Sequence, residues 1–195
     1  TIQRYLSPLK GKKLLEVGCS NGYRLGWLKQ AGAQVIGFDP STGAVEDGRM
    51  RHGLSETEIM QSDAHSFFTQ DKDAGAEFDG ILFGHCLSMV PPAQIPAIVA
   101  GACDRLKTGG FVFVNEFDRQ PQRQPYHHAP GVICYKADYA SFFNWLPFMR
   151  LLSKEVYEHY GAASRGDPKQ DCALSVLRKV EIEFAYPLIE GDVQP

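Results

Sequence analysis

Four short apolar runs constrain this chain more than anything else in it: Lys13–Gly18 (KLLEVG), Ala33–Asp39 (AQVIGFD), Phe78–Gly84 (FDGILFG) and Phe111–Asn115 (FVFVN). Each is too short to bury a helix, and each is nearly continuous in apolar side chains, the pattern of a strand covered on both faces. Glu56–Asp63 reads as a weaker strand between the second and third runs. The intervening stretches have helical spacing. Asn21 stands where it can cap a helix carrying Leu25 and Leu28 on one face with Trp27 beside them, and Ser41 can cap one running to Gly53. Pro91 and Pro92 open a third, which aligns Ile95, Ile98, Val99, Ala102 and Leu106. Strand alternating with helix predicts a doubly wound α/β domain on a mostly parallel sheet.

Beyond Asn115 the pattern loosens. Arg119–Pro130 (RQPQRQPYHHAP) is too polar and too rich in proline for a strand or helix and reads as an ordered loop. Tyr139–Trp145 reads as a helix with Phe142, Phe143 and Trp145 on its buried face. Phe148–Glu155 and Ala173–Val180 read as two closing strands, separated by a polar loop at Gly161–Asp171.

The chain has 195 residues, enough for one domain with an ordinary core and little more. We expect a lead-in over residues 1–11, a ligand-binding core over 12–117, and a substrate-side loop with closing strands over 118–195. Twenty Lys and Arg against 23 Asp and Glu give a net charge of -3, which argues against a dedicated nucleic-acid binder. No apolar run approaches the ~20 residues that cross a bilayer. The five cysteines are scattered, have no metal-site spacing and are odd in number, as expected of reduced thiols in a cytoplasmic protein without a metal. The chain opens on Thr1, and TIQRYLSPLKGKK lacks the apolar stretch of a secretory signal.

The most informative segment is LLEVGCSNG, Leu14 to Gly22, where a strand ends in a turn of small residues and a helix follows at once. Such a turn lets a ligand lie on bare backbone at a helix N-terminus, with Gly18 and Gly22 where side chains would obstruct it. Asp39 ends the next strand 21 residues after Gly18 (39 − 18), where a carboxylate can take both hydroxyls of a ribose. A nucleoside-containing ligand follows. A dehydrogenase turn with Gly18 first and Ser20 second needs a third glycine where Tyr23 stands.

With these residues in view, the chain resembles the class I S-adenosylmethionine-dependent methyltransferases of the small-molecule type. The family's acid-x-Gly-x-Gly-x-Gly motif corresponds to Glu16-Val17-Gly18-Cys19-Ser20-Asn21-Gly22, with Ser20 replacing the middle glycine. Ser62-Asp63-Ala64 after the third strand and Leu106-Lys107-Thr108-Gly109-Gly110 before the fifth match further family segments. The match runs from about Lys12 to Asn115 and resumes in ALSVLRKV. The resemblance implies a Rossmann-like seven-stranded sheet with one antiparallel strand, and S-adenosylmethionine as cofactor with S-adenosylhomocysteine as product. It implies that Gly18, Cys19, Ser20, Gly22 and Gly84 line the cofactor and that Glu16 organises its methionine end. Asp39 would hold the ribose, Pro40 would line the adenine, Asp63 would accept from the adenine amino group, and the Ala64 N–H would serve a ring nitrogen. Alkylation of Cys19, inside the turn, is expected to block the cofactor.

Methyl transfer needs in-line alignment and, for an oxygen nucleophile, a base. His85 follows the fourth strand, in FGHCL; His127 and His128 sit in the loop after the fifth; these three are the candidate catalytic residues, with Glu116 a lesser one. The fourth-strand tip lacks the Pro-Pro-aromatic signature of enzymes that methylate amino groups of DNA or protein glutamine, and no Pro-Cys dipeptide is present. A small-molecule acceptor methylated at oxygen, a hydroxyl or carboxylate of a sugar, polyketide or other metabolite, is therefore expected, with nitrogen acceptors left open. The alternatives are a non-catalytic cofactor-binding subunit or sensor, an RNA or protein methyltransferase, and a protein that binds NAD on the same kind of turn.

Overall fold

The computed structural model describes residues 1–70, 77–118, 121–126, 131–158 and 171–185. Its main sheet is built from β1 (Lys13–Val17), β2 (Gln34–Asp39), β3 (Ile59–Gln61), β4 (Phe78–Gly84), β5 (Leu106–Phe117), β8 (Met149–Glu158) and β9 (Asp171–Lys179). The order is β3-β2-β1-β4-β5-β9-β8. All pairings from β3 through β5 are parallel, and β9 runs antiparallel to both neighbours. The sheet has the predicted seven strands with one antiparallel. Strand order reverses direction between β1 and β4, which opens a crevice at the carboxyl ends of the strands.

Helices α2 (Tyr23–Gln30), α3 (Thr42–His52) and α5 (Ile95–Arg105) cover the sheet. α5 buries Ile95, Ile98, Val99 and Ala102, as its spacing predicts. Ser41 caps α3, its Oγ accepting from the Ala44 N–H at 3.3 Å. Asn21 does not cap α2: the cap position is Gly22, in the left-handed region at φ 67°, and the Asn21 amide instead donates to Asp47 at 3.0 Å. One core cluster centres on Leu15, Phe38, Ile81, Phe83 and Val112; the other, on Leu14, Leu25, Leu28 and Ile59, fills the opposite side.

Four local readings need correction. Part of the Gln- and Pro-rich segment is a strand: β6 (Gln122–Pro125) pairs antiparallel with β7 (Ile133–Lys136) in a separate two-stranded sheet. Its polar composition suits a hairpin exposed along one side, and proline ends the strand where no ladder bond is lost. β5 is longer than its apolar run because Phe78 pairs with Leu106 and Gly80 next pairs with Phe111, looping out the intervening residues. A helix not anticipated, α4 (Ala64–Gln70), stacks Phe67 on Phe38 at 4.2 Å, and the lead-in holds α1 (Ile2–Leu6). Of the three aromatics expected on the buried face at α6 (Ala140–Asn144), only Phe143 is buried; Phe142 is 44% and Trp145 86% exposed.

α1 docks through Tyr5, whose ring meets Phe111 and Phe113 and whose hydroxyl donates to Ser153 at 3.0 Å. No helix among the described residues is long and apolar enough to cross a membrane.

Gly22 and Gly43 respond oppositely to a methyl group. A Cβ at Gly22 would lie 2.5 Å from Leu54 Cδ1 in a backbone already at positive φ, whereas one at Gly43, in α3, meets nothing within 4 Å. Gly22→Ala should lower stability by about 2–3 kcal/mol and the melting temperature by roughly 5–10 °C. Gly43→Ala should raise stability by about 0.5–1 kcal/mol. Thermal unfolding of both variants checks the pair.

Candidate active site

The turn after β1 reverses by placing Gly18, Ser20 and Gly22 in the left-handed region, at φ 62°, 50° and 67°. A left-handed serine costs about 1 kcal/mol relative to glycine. Here the Ser20 N–H donates to Asp39 Oδ2 at 2.8 Å, which holds that conformation. The same carboxylate accepts from the Ser41 N–H through Oδ1 at 2.9 Å. Asp39 thus ties the first turn to the second. Gly18 is bare for a packing reason too: a Cβ there would lie 2.5 Å from Cys86 Cβ, in the loop after β4.

Asp39, Pro40, Gly18, Asp63, Ala64 and Cys86 come together around a cleft of about 780 Å³ at the carboxyl edge of β1, β2 and β4. Met89, Val90 and Val132 add apolar wall. Asp63 caps α4: its Oδ1 accepts from the Ser66 N–H at 2.9 Å and its Oδ2 from the Ser66 hydroxyl at 2.7 Å. These bonds hold its carboxyl below the usual range. A cleft with acids at β2 and after β3, apolar walls and a bare backbone floor suits an adenosine.

At the far side of Gly18 the chemistry changes. Glu16, on β1, is buried and ion-paired with Arg24 of α2. Burial pushes its carboxyl up to about 7 against the pull of Arg24, and its Oε2 has no hydrogen-bond partner among the described residues. Arg24 lies across Gly84 and, with Gln3, Trp27, Phe113 and Asn115, lines a second cavity of about 330 Å³.

His85 follows β4 at φ 56°, a strained backbone for a residue with a side chain. Its N–H donates to the Asn115 carbonyl at 2.9 Å. Tyr157, on β8, donates its hydroxyl to Asn115 Oδ1 at 2.6 Å and lies 3.4 Å from His85 Nε2. The loop beyond His85 is anchored from below by Glu116, whose Oε1 accepts the Leu87 N–H at 2.7 Å. Glu116 is fully buried and its carboxyl is raised to about 7 by that burial. It therefore anchors the loop.

The family-model comparison matches residues 1–153 to a methyltransferase domain. The chain belongs to the methyltransferase domain family. Its structure resembles an S-adenosylmethionine-dependent methyltransferase from Methanosarcina mazei, with a TM-score of 0.72 at 16% identity, over 92% of this chain and 96% of the other. It also resembles the 1,6-didemethyltoxoflavin-N1-methyltransferase of Burkholderia thailandensis, with a TM-score of 0.69 at 14% identity over 92% and 75%. In sequence it is 31% identical over 115 residues to a ubiquinone biosynthesis O-methyltransferase of Paracidovorax citrulli, covering 58% of this chain and 47% of that protein. The corresponding protein of Thiobacillus denitrificans is 35% identical over 117 residues, covering 58% and 47%. The chain spans about half the length of these curated relatives. Class I S-adenosylmethionine-dependent methyltransferases are thus its family, with S-adenosylmethionine as the family's cofactor.

Of the methyltransferase site residues read from the sequence, Gly18, Asp39, Pro40, Asp63 and Ala64 share one cleft, whereas Glu16 pairs with Arg24, which lies over Gly84, and His85 meets Tyr157. Gly22 faces Leu54 and Ile59 in the interior. His127 and His128 lie outside the described residues. Cys19 is corrected: its side chain is buried against Gly37, and burial raises its thiol far above the ordinary range, so it is neither exposed nor reactive. Cys86, not Cys19, lines the cleft. Arg24, Asn115 and Tyr157 were missed. Arg24 follows the glycine turn by a single helical step and could have been noticed; Tyr157 reaches the site only through the pairing of β8 with β9, which no local pattern reveals. Among the described residues no three His, Cys, Asp or Glu side chains group as metal ligands.

The raised carboxyls have a consequence for stability. Between pH 4.5 and about 7 the native state holds protons on Glu16 and Glu116 that the unfolded chain has released, so stability falls as pH rises through that window and levels off above it. Each group accounts for about 3 kcal/mol at most. Glu116→Gln should flatten the fall between pH 5 and 7.5, read by urea unfolding across pH.

Proposed function

We propose that this chain transfers a methyl group from S-adenosylmethionine to an oxygen of a small-molecule acceptor. The observation that carries the cofactor reading is the disposition of three acids along one sheet edge. Asp39 and Asp63 stand at the adenosine end, and buried Glu16, with an unfilled carboxylate oxygen, stands beyond Gly18. The residues fit the cofactor: the orphaned Glu16 Oε2 calls for a cationic donor, and the Gly18 floor leaves room for the chain that joins the two ends. Oxygen as the acceptor atom is supported by the O-methyltransferases that the sequence matches. The cofactor, when bound, supplies an electrophilic methyl group on a sulfonium.

The chain's own residues then do three things. Asp39 and Asp63 orient the nucleoside by accepting its hydrogen bonds. The apolar residues Met89, Val90 and Val132 exclude water from it. His85 takes the acceptor's proton at Nδ1, the ring nitrogen that keeps a lone pair when Nε2–H donates to Tyr157, a task an imidazole performs at neutral pH. Tyr157, committed by its own O–H to Asn115, presents only oxygen lone pairs to His85 Nε2 and steadies the ring. The loop bearing His127 and His128 belongs to the substrate side in this reading, and 1–195 acts as one domain with its cofactor core at 12–117. Cytoplasmic placement belongs to the same proposal and rests on five thiols free of disulfides.

The test is a melting-temperature panel with S-adenosylmethionine, S-adenosylhomocysteine, NAD and NADP on wild type and Asp39→Asn, each shift taken against that variant's own ligand-free value. A ligand at about a hundredfold its dissociation constant adds ~2.7 kcal/mol, or roughly 5–10 °C here. The adenosyl ligands alone should raise the wild type, and the rise should fall by more than half in Asp39→Asn. A rise with NAD would replace the reading with a nicotinamide one. Cofactor binding with no turnover across phenols, sugars and hydroxy acids, or unchanged turnover in His85→Gln, would remove the catalytic assignment.

A further inference from the structure

Methyl transfer needs two sites that meet, and the adenosine cleft is one of them. The second cavity, of about 330 Å³, shares no lining residue with that cleft among the described residues. The two flank one short segment of chain. Cys86 lines the cleft, Gly84 lies under the Arg24 guanidinium at the cavity, and His85 stands between them in sequence. The sheet builds the cavity in layers. Leu82 pairs with Phe113, and Gly84 with Asn115, across β4 and β5, so an apolar layer lies deeper in the sheet and a polar one at its carboxyl end. Trp27 and Leu174 extend the apolar wall. In the polar layer, Asn115 Oδ1 accepts the Tyr157 hydroxyl, which stands 3.4 Å from His85 Nε2. The cavity thus opens beside the proposed base.

Arg24 carries the only charged side chain among the described residues that line this cavity. A Cβ at Gly84 would sit 3.1 Å from its Nη1 and 3.4 Å from its Nη2, which places the guanidinium at the polar layer. One Nη1 donor goes to Glu16, and the side chain remains 40% exposed. A guanidinium has five N–H donors in a planar fork that matches a carboxylate, so Arg24 keeps donors for a ligand. We infer that this cavity takes the acceptor, and that the acceptor is a small aromatic hydroxy acid whose carboxylate is held by Arg24 and whose ring packs on Trp27 and Phe113. This rests on the methyltransferase reading above and adds the substrate class. The volume lies near the small end of ligand pockets, which start at roughly 300 Å³, so a molecule of one or two rings fits. A sugar fits poorly, because hydroxyls set against Leu82, Phe113 and Leu174 would lose their water without gaining a partner. A single cation at one end of an apolar cavity suits one carboxylate and orients the ring behind it.

The experiment is titration calorimetry of the full chain, saturated with S-adenosylhomocysteine, against the 2-, 3- and 4-hydroxybenzoates and the three matching hydroxybenzamides. At least one acid should bind wild type about 10- to 100-fold more tightly than its amide, the worth of a charge-assisted hydrogen bond. Arg24→Met should bring that acid to within about threefold of its amide while leaving the amide's own affinity in place. Glu16, whose carboxyl burial already raises to about 7, takes up a proton once its cation is gone, so the variant is not left with a bare charge in the interior. Leu174→Trp fills the apolar wall without touching the Arg24–Glu16 pair, and should weaken acid and amide alike. Both variants should bind S-adenosylhomocysteine within about threefold of wild type, which also shows that they are folded. Wild type that binds S-adenosylhomocysteine but prefers no acid to its amide overturns the acceptor assignment and leaves the cofactor reading standing. So does an acid preference that survives in Arg24→Met, or undiminished acid binding in Leu174→Trp. Loss of S-adenosylhomocysteine in Arg24→Met as large as the loss of the acid would move Arg24 to the cofactor and overturn the assignment as well. Wild type that binds no S-adenosylhomocysteine overturns the cofactor reading, and the acceptor assignment falls with it.

Discussion

The Asp39 carboxylate is the interaction on which the rest of the site depends. Its two oxygens accept backbone N–H groups from Ser20 and Ser41, one in each of the first two strand-to-helix turns. The first bond holds a serine in the left-handed region, and the curvature of the turn follows from it. The second sits just ahead of the helix that Ser41 caps. A carboxylate engaged this way keeps lone pairs for a ligand while its position is already fixed, so little ordering is left for binding to impose. The family's glycine at position 20 has been exchanged for serine without loss of the turn because this acid supplies the restraint.

Electrostatics divide the cleft into two regimes. Around Asp39 and Asp63 the acids are bonded to backbone amides and hydroxyls, and these bonds hold the Asp63 carboxyl below its usual range. Around Glu16 and Glu116 burial wins over local hydrogen bonds, and both carboxyls titrate near neutrality. The difference comes from depth in the sheet. Asp39 ends β2 and Asp63 lies two residues beyond β3, whereas Glu16 is one residue inside β1 and Glu116 one residue inside β5.

How far the sequence could be read depended on how local the determining physics was. The four apolar runs predicted their strands because a strand buried on both faces leaves no doubt about its side chains, and Asp39 was identifiable from its distance to Gly18. Reading failed where tertiary contact decided. Ser62-Asp63-Ala64 was read only as a ligand site, although Asp63 also caps α4 through Ser66. The Gln-rich stretch reads as loop in isolation because its strand partner, Ile133–Lys136, is the feature that makes part of it a strand. Phe142 and Trp145 look like core residues by composition, yet α6 is a single short turn with room to bury one ring. Cys19 looked ligand-facing because it lies within the turn, but alternate residues of a turn point opposite ways and its thiol went inward.

The contact between Gly18 and Cys86 has a wider bearing. The floor of the cleft at Gly18 and the loop that leads on from His85 touch with no slack, a methyl group at Gly18 being 2.5 Å from Cys86. A change of shape in either segment is therefore felt by the other. If the proposed cofactor reading holds, redesign of residues 85 to 90 would also disturb the floor of the donor cleft, and libraries aimed at new acceptors would do better to leave Cys86 alone and vary the cavity wall formed by Trp27, Phe113 and Leu174.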